Sequence, residues 1–152
     1  CIFLFSNSVT FAGQIVIDID NKINQILVDT AVSLSQKKKG LMFVKKLKES
    51  NGMMFLYNKP KIVNMWMKNT YIDLDIIFIN EKKIVSKIVK GIKNSTNIIS
   101  SGKPVIAVLE IPSECNQKLQ IHENMFLSWK EITKKEFEKK NSKTKKDLLP
   151  CI

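Results

Sequence analysis

Short apolar runs, many of them rich in β-branched residues, recur along the chain between clusters of turn residues. Ile15, Ile17 and Ile19 alternate with Val16 and Asp18, which is the period of an extended strand. Further strands or extended segments are predicted at residues 26–32, 53–57, 61–68, 74–79, 84–89, 105–111 and 125–129. Many short strands at regular spacing indicate a mainly β domain, built as a sandwich or a barrel.

Cap and turn residues divide these strands and leave room for only two short helices. Ser33 or Ser35 can cap a helix through Lys37 to Lys39, which Gly40 then ends. Pro112-Ser113-Glu114 starts the second helix, with the serine as its cap. Turns are predicted at 50–52 and 80–83, a strand break at 58–60 and a loop at 90–103. We therefore expect one compact domain over residues 13–129.

The first twelve residues, Cys1 to Ala12, are apolar and uncharged, and they have the length of a signal-peptide core. Thr10 and Ala12 have the spacing that a signal peptidase reads, which makes Gly13 the expected mature start. No methionine or basic segment precedes them, so we expect a signal peptide remnant and an exported protein, periplasmic or secreted. The alternatives are a buried first strand and a lipidated Cys1, which the apolar residues after it disfavour.

Residues 130–152 form a lysine-rich C-terminal tail, predicted to be a solvated helix or frayed. Cys115 and Cys151 could pair in an oxidising compartment, which would order that tail. No cysteine and histidine spacing indicates zinc, and His122 is the only histidine, so we expect no metal and no cofactor. Nothing after the signal segment is long and apolar enough to form a transmembrane helix.

The net charge of +11 first suggests a partner such as nucleic acid or a membrane surface. All 25 basic residues are lysine, however, and phosphate and base recognition relies on the planar fork of arginine. A bias toward lysine, isoleucine and asparagine is also what an AT-rich coding sequence produces. The composition therefore argues against nucleic-acid binding.

Five clusters of residues stand in a characteristic order and spacing. They are Gly40-Leu41-Met42-Phe43, Gly52-Met53-Met54-Phe55, Trp66-Met67-Lys68-Asn69-Thr70, Leu74-Asp75-Ile76-Ile77-Phe78-Ile79 and Val108-Leu109-Glu110-Ile111. Together they resemble the uncharacterised family called domain of unknown function 192, over about two-thirds of the chain, from Ile26 to Trp129. The resemblance implies a compact, mainly β domain that is often exported, and it implies no activity.

The chain departs from the family pattern at two positions. Val44 stands where the family usually has arginine, which puts in doubt any anion-binding role at that position. Asn124 stands where the family usually has glycine. Because asparagine tolerates a left-handed backbone better than other non-glycine residues, we expect the turn to be kept. The methionines and phenylalanines of the first two clusters, Phe43 among them, are predicted to lie in the core.

The Trp66 cluster is the main candidate for binding. In a strand, Trp66, Lys68 and Thr70 share one face, while Met67 and Asn69 lie on the other. An aromatic plate, a cation and a hydroxyl suit a small polar ligand with an apolar face, such as a sugar, or an anion. The structural alternative is that Trp66 packs in the core and the methylene stem of Lys68 covers it.

Asp75 and Glu110 interrupt apolar strands, where a carboxylate must face solvent, form an ion pair or accept hydrogen bonds. If they converge near Lys68, they form a structural ion pair or an acid and base pair. No nucleophile joins them, which favours the structural alternative.

Two functions therefore remain open. The first is a cell-envelope binding or accessory module, with candidate binding residues Trp66, Lys68, Asn69, Thr70, Asp75 and Glu110. The second is a hydrolase or transferase that uses Asp75 and Glu110 about 5 to 10 Å apart across an open cleft, with Lys68 stabilising negative charge. We favour the first, because the chain offers no set of nucleophile and base.

Overall fold

The structure of the protein is a computed structural model that describes residues 13–19, 24–48, 50–132 and 150–151. The strands are β1 (Gln14–Ile19), β2 (Asn24–Ala31), β3 (Met53–Lys61), β4 (Asn64–Met65), β5 (Leu74–Ile79), β6 (Val85–Gly91), β7 (Ile99–Ser100), β8 (Val105–Pro112) and β9 (Leu127–Ile132). The helices are α1 (Leu34–Lys39) and α2 (Ser113–Leu119). This composition confirms the predicted mainly β domain with two short helices.

Seven strands form one sheet in the order β6-β5-β8-β3-β2-β1-β9, and β4 and β7 form a separate pair. Neighbours in the large sheet are antiparallel except β2 and β3. The sheet curls until its two edges meet, where Ile84 and Phe126 form a bridge and the Val85 amide donates to the Met125 carbonyl. The result is a half-barrel.

Both faces of the sheet are apolar, so the strands bury side chains on two sides. The core under α2, here called the helix-side core, includes Ile17, Ile77, Leu109, Cys115 and Leu119. The opposite, turn-side core includes Leu41, Phe55, Met67, Ile76 and Phe78. Burial of each large aliphatic side chain contributes roughly 1.5–3 kcal/mol, so these two layers supply most of the driving force for folding.

The predicted signals hold for α1 and only in part for α2. Ser33 caps α1 in a reciprocal capping box with Gln36, and Gly40 ends the helix. In α2 the cap position is Pro112 and no side chain caps the helix. The hydroxyl of Ser113, predicted to be the cap, donates instead to Asp75 at 2.8 Å. The cap prediction is therefore wrong, because a carboxylate on the neighbouring strand competes for the hydroxyl.

Several strand predictions need correction. The break predicted at residues 58–60 lies inside β3, which absorbs it as a shift of register between Leu56 and Lys61. The extended segment predicted at 61–68 contains only the last residue of β3 and the two-residue strand β4. The loop predicted at 90–103 contains β7. The last strand starts and ends later than predicted, at Leu127 and Ile132.

The two ends of the chain fall largely outside the described residues. The predicted signal segment, residues 1–12, lies there entirely, as do residues 133–149 of the lysine-rich tail. Cys151 is described, and it forms a disulfide with Cys115 of α2. Its amide also donates to Asn51 Oδ1 at 3.0 Å, so this part of the tail is fastened to the helix-side core. Within the described ranges, no helix has the length and apolarity needed to cross a membrane.

Candidate functional site

Residues 66–70 form a turn rather than the predicted strand. The Thr70 amide donates to the Met67 carbonyl at 3.1 Å, and Asn69 adopts a left-handed backbone with φ of 56°. Asparagine accepts this conformation more readily than most residues, which explains why the chain turns here. Met67 is fully buried in the turn-side core and fixes the turn to the sheet.

The turn exposes two of the three side chains that were expected to share a face. The Trp66 side chain is 42% exposed, and the Lys68 ammonium lies 5.2 Å from the centre of its ring. Thr70 is buried, and its hydroxyl donates to the Lys68 carbonyl at 3.4 Å. Trp66 and Lys68 are therefore available to a ligand, whereas Thr70 and the backbone of Asn69 support the turn.

A second turn brings further aromatic side chains to this surface. Phe43, predicted to be core, is 60% exposed, and its amide donates to the Asn69 carbonyl at 2.8 Å. Its ring meets Tyr71 edge to face at 6.2 Å. We call Phe43, Trp66, Lys68 and Tyr71 the aromatic platform. The core prediction failed for Phe43 because the turn that begins at Gly40 reverses the chain.

The backbone of Phe43 is unusual in its own right. Its φ of 67° lies in the left-handed region, which bulky side chains rarely occupy. Such residues cost about 1–3 kcal/mol each and persist where the surroundings, or a function, require them. Val44, at the position of the family arginine, is partly buried against the turn-side core and brings no charge to this surface. Asn124 keeps the expected left-handed turn, with φ of 69°.

Glu110 lies on the turn-side face of β8, beneath Gly40. Its Oε2 would be 3.9 Å from a Cβ atom placed on that glycine. The side chain is only 4% exposed. Burial raises the pKa of this carboxyl to about 8. Glu110 is therefore protonated at neutral pH and could serve as a hydrogen-bond donor.

Tyr57 interacts electrostatically with this buried acid, and two lysines lie near the Tyr57 ring. The ammonium groups of Lys37 and Lys61 lie 4.3 and 5.7 Å from the centre of the Tyr57 ring. Burial, and then the charge of Glu110, raise the pKa of Tyr57. Burial, and then repulsion from Lys61, lower the pKa of Lys37. Helix α1 thus places Lys37 over the ring of Tyr57, the tyrosine whose pKa the charge of Glu110 raises.

Asp75 lies on the other face of the sheet. In the pairing of β5 with β8, Asp75 is opposite Ile111, whereas its neighbour Ile76 is opposite Glu110. Since successive side chains of a strand point to opposite faces, the two carboxyls are separated by the sheet. The convergence of Asp75 and Glu110 that the hydrolase or transferase alternative requires is therefore not formed.

A cleft of about 330 Å³ opens beside the platform. Its lining residues are Lys45, Lys46, Leu47, Tyr71, Ile72, Asp73, Lys93, Pro112, Glu114 and Cys151. Of the platform residues only Tyr71 belongs to it, and none of the six residues chosen from the sequence lines it. The residues that line the cleft are far apart along the chain, and only the fold brings them together, so no sequence signal indicates this cleft. The part of the chain that is described contains no group of three His, Cys, Asp or Glu side chains able to hold a metal.

Two solved structures are similar to this chain. One, from Sinorhizobium meliloti 1021, is described as a putative transcription regulator; it is 29% identical, with a TM-score of 0.69, and the match covers 77% of this chain and 92% of that one. The other, from Novosphingobium aromaticivorans DSM 12444, is described as a protein of unknown function; it is 28% identical, with a TM-score of 0.66, over 76% and 84% of the two chains.

A search of curated proteins gave no match. The family model of domain of unknown function 192, described as "Uncharacterized ACR", matches residues 15–129. This range contains all five clusters of the resemblance and extends it toward the first strand. The match covers most of the chain, and the chain belongs to the domain of unknown function 192 family.

Proposed function

We propose that this protein is an exported binding module of the cell envelope, whose aromatic platform holds a small polar ligand with an apolar face, such as a sugar. One observation carries the proposal. The Lys68 ammonium lies over the exposed Trp66 ring, on a turn that is hydrogen-bonded to the turn of the exposed Phe43. Exposed aromatic side chains beside a few placed polar groups are characteristic of ligand sites.

The chemistry of the platform suits a sugar ring. The C–H face of a sugar can stack on an indole or phenyl ring, and its hydroxyls can accept hydrogen bonds from an ammonium group. The left-handed backbone of Phe43 is a further reason for the proposal, because strained conformations of this kind cluster at functional sites.

Export is supported by two features at opposite ends of the chain. Cys115 and Cys151 form a disulfide, and such bonds persist in oxidising compartments and are rare in the cytosol. Residues 1–12 have the composition of a signal-peptide core. Fractionation of cells that make the protein, with thiol labelling, should find it outside the cytosol with both cysteines blocked. A cytosolic pool with free thiols would contradict export.

Calorimetric titration with a panel of neutral oligosaccharides tests the binding proposal. We expect Trp66→Ala to weaken binding of a hit by about tenfold or more, as for an aromatic hot spot. Phe43→Asn should also weaken it, while the free energy of unfolding stays unchanged or rises because asparagine accepts the left-handed backbone. Circular dichroism will show whether the variants remain folded.

The chain contains its own matched controls. Lys83 lies 4.6 Å from the ring centre of Trp129, a second pair of lysine and tryptophan. Phe126 is 46% exposed at the junction of the sheet edges. Lys83→Ala and Phe126→Ala should leave binding unchanged, whereas Lys68→Ala should weaken it. Equal losses from both lysine variants, or unfolding of Trp66→Ala, would make the platform a structural feature.

We do not extend to this chain the role named for the Sinorhizobium protein. Arginine, the side chain best suited to phosphate and base recognition, is absent from all 152 residues. The features that favour a ligand here are exposed aromatic rings and a single turn lysine.

A further inference from the structure

The cleft and the aromatic platform form one continuous surface through Tyr71. That side chain lines the cleft and also meets the ring of Phe43. A ligand whose ring rests on the platform can therefore extend a substituent into the cleft. The chemistry of the cleft walls then indicates which substituent that is.

The walls of the cleft favour a negative charge. Three lysines, Lys45, Lys46 and Lys93, line it against two acids, Asp73 and Glu114. The Asp73 carboxylate already accepts the amide of Lys93 at 2.8 Å, which leaves it less able to bind a cation. All three lysines are exposed, so their ammonium groups can move toward a ligand. The net charge of +11 adds an attractive field for anions.

The rest of the lining is apolar. Leu47, Ile72 and Pro112 contribute to it, and the half-buried Cys151 contributes the disulfide. A free inorganic anion would gain little from such walls. An anion attached to a larger organic group would bury apolar surface and pair its charge in the same place.

We propose that the ligand is an acidic sugar, whose ring rests on the aromatic platform and whose carboxylate enters the cleft between Lys46 and Lys93. The inference rests on the proposed function, since the platform supplies the contact with the ring. It adds the charge of the ligand and the two lysines that recognise it. Lys45 also lines the cleft and adds to its positive field.

Paired probes of equal length test this inference: an oligosaccharide of glucuronic acid and its neutral counterpart of glucose, each titrated by calorimetry. We expect the acidic probe to bind about tenfold more tightly at low salt, with the preference reduced as salt screens the lysines. Lys46→Ala with Lys93→Ala should abolish the preference and leave the weaker neutral binding. Lys103→Ala, an exposed lysine outside the cleft, is the matched control.

The outcomes separate the two proposals. If both probes bind equally and Trp66→Ala weakens both, the proposed function stands and the acidic sugar is overturned. If the acidic probe binds tightly but the double lysine variant keeps the preference, the cleft is not the site and the inference fails. If neither probe binds, both proposals fail together.

Discussion

At the scale of single residues, Glu110 is the side chain whose chemistry depends most on its surroundings. Ionisation of a buried carboxyl costs desolvation free energy, and burial raises the pKa of Glu110 to about 8. The Asp75 side chain, on the other face of the sheet, accepts a hydrogen bond from the hydroxyl of Ser113. The two acids, in neighbouring strands, thus meet different surroundings because their side chains face different layers.

Glu110 should make stability fall as pH rises from about 5 to 8. The pKa of Glu110 is about 8 in the folded protein and ordinarily 4.5, so within this window the folded protein holds a proton that the unfolded chain has released. The free energy of unfolding then decreases by up to about 1.4 kcal/mol per pH unit, and the loss is complete above the folded-state pKa. Urea unfolding at pH 5, 6.5, 8 and 9 measures this slope.

Glu110→Gln is the informative variant, because it keeps the shape and removes the ionisation. Its unfolding free energy should change little between pH 5 and 8, and it should exceed that of the native protein at pH 9. Glu114→Gln, at an exposed acid four residues away, should retain the native slope. A native slope in Glu110→Gln would show that another group causes the pH dependence.

At the scale of elements, a disulfide stabilises the fold by linking helix α2 to the C-terminal tail. It joins Cys115 of α2 to Cys151 across a sequence separation of 36 residues. Closing a loop of this length in the unfolded chain stabilises the folded state by roughly 3–4 kcal/mol in the chain-entropy description. The contacts of Cys151 with Asn51 and the helix-side core depend on the same link.

Reduction should therefore lower the free energy of unfolding by roughly 3–4 kcal/mol. Urea titrations with and without dithiothreitol measure the difference at constant pH. Cys115→Ala with Cys151→Ala should be destabilised to a similar extent and should no longer respond to dithiothreitol. If reduction lowers the free energy of unfolding by less than about 1 kcal/mol, the disulfide restrains the unfolded chain little.

The sequence predicts elements well where local signals are strong. Strand β5 has the predicted bounds, and the capping box of α1 is formed by the predicted Ser33. It failed for residues 66–70, where alternation suggested a strand but a left-handed Asn69 closes a turn. Whether Asp75 and Glu110 share a face could not be predicted, because the register between β5 and β8 decides it and no local pattern contains that register.

At the scale of the whole molecule, the curled sheet is held at its edges by few contacts. The amide of Leu127 donates to the Lys83 carbonyl, and the amide of Asn124 donates to the Val85 carbonyl. With the bond from the Val85 amide to Met125, these are the backbone hydrogen bonds across the junction within the described residues. Strand β8, by contrast, is paired on both sides, with β3 and β5.

The junction should therefore open locally while the centre of the sheet stays closed. We expect the amides of Val85, Asn124 and Leu127 to exchange with deuterium about 100-fold faster than the most protected amides of β8, since local opening needs less free energy than global unfolding. Asn124→Ala should raise the exchange rates of the junction amides by about another fivefold, because alanine is strained at a φ of 69°. Exchange followed by nuclear magnetic resonance resolves each amide. Equal protection at the junction and in β8, unchanged in the variant, would show that the half-barrel opens only when the whole domain unfolds.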